Sequence, residues 1–178
     1  MTMTVPESFN LADTVKRTLL AGRMQGNADK GKIEKAARAS AVDGRVAIDC
    51  SGIEVMTSSY FDAAVWPLWS IADFFPMLVK VPTAVIDDIE IVLKANSGAA
   101  WCVTKGDARI IGALDPTLDR TVQEVVKRGE VAAGDLLDLD RAIGPTAWSN
   151  RLALLYSLRL VRRKKDGRRL NYIAAWKA

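Results

Sequence analysis

The chain of 178 residues contains no histidine, and that single absence removes the commonest general base, the commonest activator of a serine or cysteine nucleophile and the commonest metal ligand. Cysteine is scarce. Cys50 and Cys102 each lie in an apolar run and not in a Cys-x-x-Cys spacing, so they read as small buried residues. No segment approaches the roughly 18 uninterrupted apolar residues of a membrane span. The opening MTMTVPESFNLADTV also lacks a basic region leading into an apolar core. A cytoplasmic protein with no membrane partner is expected. A Gly-rich phosphate loop, a Gly-x-Ser-x-Gly elbow and a clustered Asp/Glu metal motif are missing as well. The expectation is a binding protein, not an enzyme, with no cofactor and no metal.

What is present suffices for a core. Apolar residues make up 49% of the chain, enough for one large domain or two small ones. Charge is distributed unevenly. Residues 1–112 hold 12 Lys and Arg against 13 Asp and Glu, whereas residues 141–178 hold 10 against 1. The positive charge therefore gathers at one end.

Pattern divides the chain near residues 105–113, giving an N-terminal domain over 1–110 and a C-terminal one over 111–178. Before the boundary, helical and strand-like runs alternate: helix over 29–40, strand over 45–50, helix over 59–71, strand over 77–81, helix over 83–95, strand over 99–103. Alternation of this kind indicates an α/β layer fold. After the boundary, Asp115 and Pro116 supply an N-cap and a first helical residue, Leu118, Val122, Val125 and Val126 recur at helical spacing, and Gly129 stops the helix. A short helix over 132–139 and a longer one from Gly144-Pro145 to about Leu158 follow. The second domain is thus small and mainly α.

The last stretch, LVRRKKDGRRLNYIAAW, places six cations among the eight residues from Arg162 to Arg169. Asp166-Gly167 between strand-like runs predicts a two-residue type I′ hairpin. That pairing sets Lys165 opposite Arg168, Lys164 opposite Arg169, Val161 opposite Tyr172 and Leu160 opposite Ile173. Like charges face each other at the tip, which an anion such as a phosphate backbone would relieve. A charged, solvated edge that blocks strand aggregation is the other explanation.

In the preceding helix, Trp148, Leu152, Leu155 and Leu158 form a core stripe, and Thr146, Ser149 and Asn150 lie opposite. With the order helix, short helix, helix, basic hairpin, residues 115–176 resemble a bacterial winged helix-turn-helix DNA-binding domain of transcriptional regulators. The resemblance implies double-stranded DNA as partner. It assigns groove contacts to Thr146, Ser149 and Asn150, and phosphate contacts to Arg151, Arg162, Arg163, Lys164, Lys165, Arg168 and Arg169. Such domains often carry Gly before the Leu-Val pair, where this chain has Arg159, so a left-handed Arg159 would cost roughly 1 kcal/mol. Many such regulators bind as homodimers on two half-sites, although residues 1–112 display no unmistakable dimerisation helix.

In the first domain, VAIDCSGIEVMTSSYFDAAVW runs from a strand ending in Asp49-Cys50-Ser51-Gly52 to Thr57-Ser58-Ser59 at a helix start. Residues from about 30 to 104 resemble a STAS-like domain of the anti-sigma-antagonist type. The resemblance implies a protein partner or kinase at this domain, with Ser58 as the phosphoacceptor. The family's Asp before the two serines is Thr57 here, a departure that favours a plain N-cap for the motif. Transcriptional regulation through DNA binding is the expected function. A partner-switching signalling adaptor, whose winged helix binds protein, is the alternative.

Overall fold

The computed structural model describes residues 7–104, 107–140 and 142–177. Its central element is a five-stranded sheet. The chain passes through β1 (Ser8–Asn10), α1 (Leu11–Val15), β2 (Leu19–Leu20), α2 (Arg23–Ser40), β3 (Arg45–Asp49), β4 (Val55–Met56), α3 (Ser58–Ala64), β5 (Phe75–Val79), α4 (Thr83–Ala95), β6 (Ala99–Thr104) and β7 (Asp107–Gly112). The sheet order is β1-β3-β5-β6-β7, parallel except for β7, which runs antiparallel to β6. β2 and β4 form a separate parallel pair.

Successive residues of the central strands point to opposite faces, and both faces are dry. Val46, Ile48, Leu78, Ala100 and Cys102 join a core with Ile33 of α2, Phe61 of α3 and Ile89 of α4. Their neighbours Ala47, Met77, Val79, Trp101 and Val103 join a second core, built with the C-terminal third of the chain. That third comprises α5 (Pro116–Arg128), β8 (Glu130–Val131), a 3-10 turn at Ala133–Leu136, α6 (Pro145–Ser157), β9 (Val161–Asp166) and β10 (Arg169–Ala174). Its strands make an antiparallel sheet in the order β8-β10-β9. The chain is thus a mixed α/β protein, with a mixed sheet and six helices among the described residues. Among the described residues no helix is long and apolar enough to cross a membrane.

Several elements depart from the sequence pattern. β7 occupies most of the stretch expected to connect two domains. The helix expected over 59–71 is α-helical only to Ala64 and continues as a 3-10 turn at Trp66–Ser70, since Pro67 has no amide to donate. The helix expected over 132–139 is regular only across the 3-10 turn at Ala133–Leu136. The strand expected at 77–81 lies at Phe75–Val79, in register with β3 from Arg45↔Phe75 to Asp49↔Val79.

A buried carboxylate with an exposed cationic partner clamps the helical layer. Asp29, 2% exposed, pairs with Arg17 and accepts from the Tyr60 hydroxyl at 3.0 Å, joining the loop after α1 to α2 and α3. Burial and the adjacent Asp29 carboxylate push the Tyr60 hydroxyl pKa up, so it stays a donor.

Candidate nucleic-acid interface

α6 and the β9-β10 hairpin stand on the sheet by one end. Among the described residues, four hydrogen bonds tie this unit to the sheet layer. Trp101 Nε1 donates to the Leu160 carbonyl at 2.7 Å, and Arg159 Nε to the Trp69 carbonyl at 3.1 Å. Arg45 donates to the Lys177 carbonyl at 3.0 Å, and the Tyr156 hydroxyl to Asp73. All four use the C-terminal end of α6, the residues entering β9 or the residues leaving β10. The first turns of α6 and the hairpin tip make no such contact.

On α6, Trp148, Leu152 and Leu155 are buried, while Thr146, Ser149 and Asn150 are exposed on the far side. This is the division that the 3.6-residue period predicts. The N-terminus of α6 is uncapped: Gly144 offers no side chain, and the first turn holds no acidic residue. Its free amides and dipole therefore favour an anion. α5 differs, because Asp115 accepts from the Thr117 and Leu118 amides at 2.8 and 3.0 Å.

Arg159 has φ 63°, the left-handed conformation that its position demands of a residue usually Gly. The hydrogen bond to Trp69 and the Tyr156 ring 5.8 Å from its guanidinium offset that cost. The helix consequently ends at Ser157, and Leu160 drops into the core at 0% exposure.

The hairpin register differs from the one expected. Asp166 pairs with Arg169, Lys165 with Leu170, Lys164 with Asn171, Arg163 with Tyr172, Arg162 with Ile173 and Val161 with Ala174. The turn residues are Gly167 and Arg168, and of these only Gly167 has a positive φ, 57°, the pattern of a type II′ turn. Two features explain the shift. It replaces the like-charge pairs at the tip by Asp166 against Arg169, and it matches buried Val161 with the small buried Ala174. The crowding of like charges that favoured an anion at the tip is therefore gone.

The ten candidate contact residues fall into distinct settings. Lys164, Lys165 and Arg168 are exposed and have no ion pair among the described residues. Arg151 lies over the Trp148 ring at 4.7 Å, and Arg163 over the Tyr156 ring at 4.1 Å. Arg169 is engaged within the fold, pairing with Asp135 and donating to Asn171 Oδ1 at 2.9 Å. Arg162 is half-buried and donates to the Lys177 carbonyl at 2.8 Å. Burial, reinforced by the nearby Arg45, pulls the Arg162 pKa below the usual arginine value. Tyr156, Asn171 and Asp135 had no mark in the sequence, because their roles depend on partners 83, 41 and 34 residues away.

At the other candidate site, Thr57 is the N-cap of α3 and Ser58 the first helical residue. Thr57 Oγ1 accepts from the Tyr60 amide at 3.4 Å and from the Gly22 amide at 3.0 Å. The Ser58 amide donates to Asp88 Oδ1 at 2.8 Å, so a carboxylate from α4 already serves this helix start.

The chain matches no protein-family model, no curated protein and no solved structure.

Proposed function

We propose that the protein binds double-stranded DNA as a transcriptional regulator, with residues 115–176 acting as a winged helix-turn-helix. One observation carries the reading: among the described residues, the exposed turns of α6 that bear Thr146, Ser149 and Asn150, and the hairpin tip that bears Lys164, Lys165 and Arg168, make no hydrogen bond to the sheet layer. The uncapped α6 N-terminus adds amide donors for a phosphate. In this reading Asn150 reads a base edge, Lys164, Lys165 and Arg168 neutralise phosphates, and Arg162 and Arg169 shape the wing from within. The STAS-like layer receives a protein signal or mediates self-association.

The test is a fluorescence-anisotropy titration of duplex DNA at several salt concentrations, on the intact chain and on Lys164→Ala/Lys165→Ala. Binding should fall steeply with salt, and the double variant should flatten the slope of log affinity against log salt by up to about 2. Absence of binding at low salt would remove the DNA reading.

A second reading, a partner-switching adaptor with a protein-binding winged helix, is favoured by one feature. Leu154, on the outer side of α6, is 53% exposed, and the outward residues Thr146, Ser149, Asn150, Ala153 and Ser157 carry no charge. Proteins use apolar exposure of that kind more readily than phosphates do.

A further inference from the structure

A cleft of about 600 Å³ opens where the wing base meets the loops that lead into the interior strands β3 and β5 of the large sheet. That size lies in the range of small-molecule sites. One wall is cationic: Arg162, Arg163 and Lys164 of β9. The facing wall carries the carboxylates of Asp43, before β3, and Asp73, before β5. Between them lies an apolar floor of Phe75, Tyr156 and Ile173, with the Phe75 and Tyr156 rings 5.7 Å apart.

Both walls keep unused polar capacity. Among the described residues, Arg162 Nε is buried without a partner, and so is Nε of the neighbouring Arg45, which is 8% exposed. Both guanidiniums share one neutral acceptor, the Lys177 carbonyl. The two guanidiniums disfavour each other's charge, Asp43 opposes that effect at Arg162, and an incoming carboxylate would add to the relief. Asp43 makes no ion pair among the described residues, whereas Asp73 already accepts from the Tyr156 hydroxyl.

The wall of opposite sign decides the class of ligand. A polyphosphate or a DNA backbone would be repelled by Asp43 and Asp73, and a simple amine by the arginines. We propose that the cleft binds a small zwitterion with an apolar body, of the α-amino acid class. Its carboxylate lies on the wall of Arg162, Arg163 and Lys164, its ammonium on Asp43, and its side chain on the floor of Phe75, Tyr156 and Ile173. The wall it grips is β9, so occupancy and wing position are coupled. The proposal concerns binding to the chain itself and does not rest on the DNA reading.

The experiment is heteronuclear NMR on the full chain, titrated separately with L-phenylalanine, L-leucine, 3-phenylpropanoate and phenethylamine. Saturable shifts at Gly44 and Ile173 are expected with at least one of the two amino acids. The two single-charge analogues should bind at least about tenfold more weakly, each leaving one wall unpaired. In Asp43→Asn the fold should persist, because Asn tolerates the φ of 52° at this position as Asp does and Asn-Gly forms the same turn. That variant should lose the preference for the amino acid over 3-phenylpropanoate. No shift with either amino acid, equal affinity for 3-phenylpropanoate in the unaltered chain, or an Asp43→Asn variant that discriminates as before would each overturn the proposal.

Discussion

Trp101 of β6 donates its indole N–H to the backbone carbonyl of Leu160, 59 residues later, at 2.7 Å. Trp101 is 1% exposed, and its ring meets Trp176 edge-on at a centroid distance of 5.9 Å. One side chain thus joins the large sheet to both ends of the hairpin.

The first prediction concerns this joint. Trp101→Phe leaves the Leu160 carbonyl with the Ala175 amide, at 2.9 Å, as its remaining donor and opens a space beside Trp176. A loss of about 2 kcal/mol is expected. Urea unfolding followed by tryptophan fluorescence and by circular dichroism should give coincident, single transitions for both proteins. Two separate transitions in the unaltered chain would show that the shared core does not couple the halves.

A second prediction separates the cations of the β9-β10 hairpin. Arg162→Ala removes an internal tie to Lys177, so it should lower the urea midpoint. Arg168→Ala, at the exposed turn, should leave the midpoint unchanged and reduce the salt slope of DNA binding by about 1. A salt slope that depends on Arg162 as it does on Arg168, at unchanged stability, would place Arg162 in the contact surface.

Asn150→Ala tests base reading. Loss of a good bidentate contact should change the discrimination between duplex sequences by about 1–3 kcal/mol while leaving affinity for random duplex nearly as it was. Equal losses on every sequence would assign Asn150 to the backbone.

The start of α3 gives a fourth prediction. Since Asp88 already accepts from the Ser58 amide, a negative group at Ser58 meets a like charge there. Ser58→Glu should destabilise the chain by about 1 kcal/mol, and Asp88→Asn should recover most of that loss in a double-mutant cycle of urea midpoints. A stabilising Ser58→Glu would instead favour the phosphoacceptor role.

The fifth prediction is a pH profile. With no histidine, no side chain of ordinary pKa titrates between about pH 6 and 8, so the urea midpoint should be flat there. The carboxyl of Asp135 is held below the usual range by the Ala132 amide at 2.8 Å and by Arg169, against the opposing effect of burial. Burial also pushes Asp49 up, but Lys80 and Ser51 more than reverse it. A folded-state pKa that is depressed gives stability above the unfolded value near ~4 and loses it as pH falls through the folded one. The midpoint should therefore drop below about pH 4, and less so in Asp135→Asn.

Local chemistry was legible where it was self-contained. Asp115, Pro116 and Gly129 delimit α5, and the stripe Trp148, Leu152, Leu155 is the buried side of α6 as the period requires. Thr57 caps α3 as its residue type suggests. Non-local pairing was not legible. DARIIG looks like a linker until β6 supplies the edge on which it becomes β7. Asp-Gly announces a turn, but the choice between 166–167 and 167–168 depends on cross-strand partners, Arg169 for Asp166 and Ala174 for Val161. The engagement of Arg162 and Arg169 escaped for the same reason, since the Lys177 carbonyl and Asp135 come near only in the folded chain.

The second core also imposes an order of events during synthesis. Trp101, Met77 and Val103 leave the ribosome before any of the residues that will cover them. At about 5–20 residues per second, the 59 positions from Trp101 to Leu160 take roughly 3–12 s to add. For that interval the nascent sheet shows water a plane of aliphatic and aromatic side chains, and its safest companion is a chaperone.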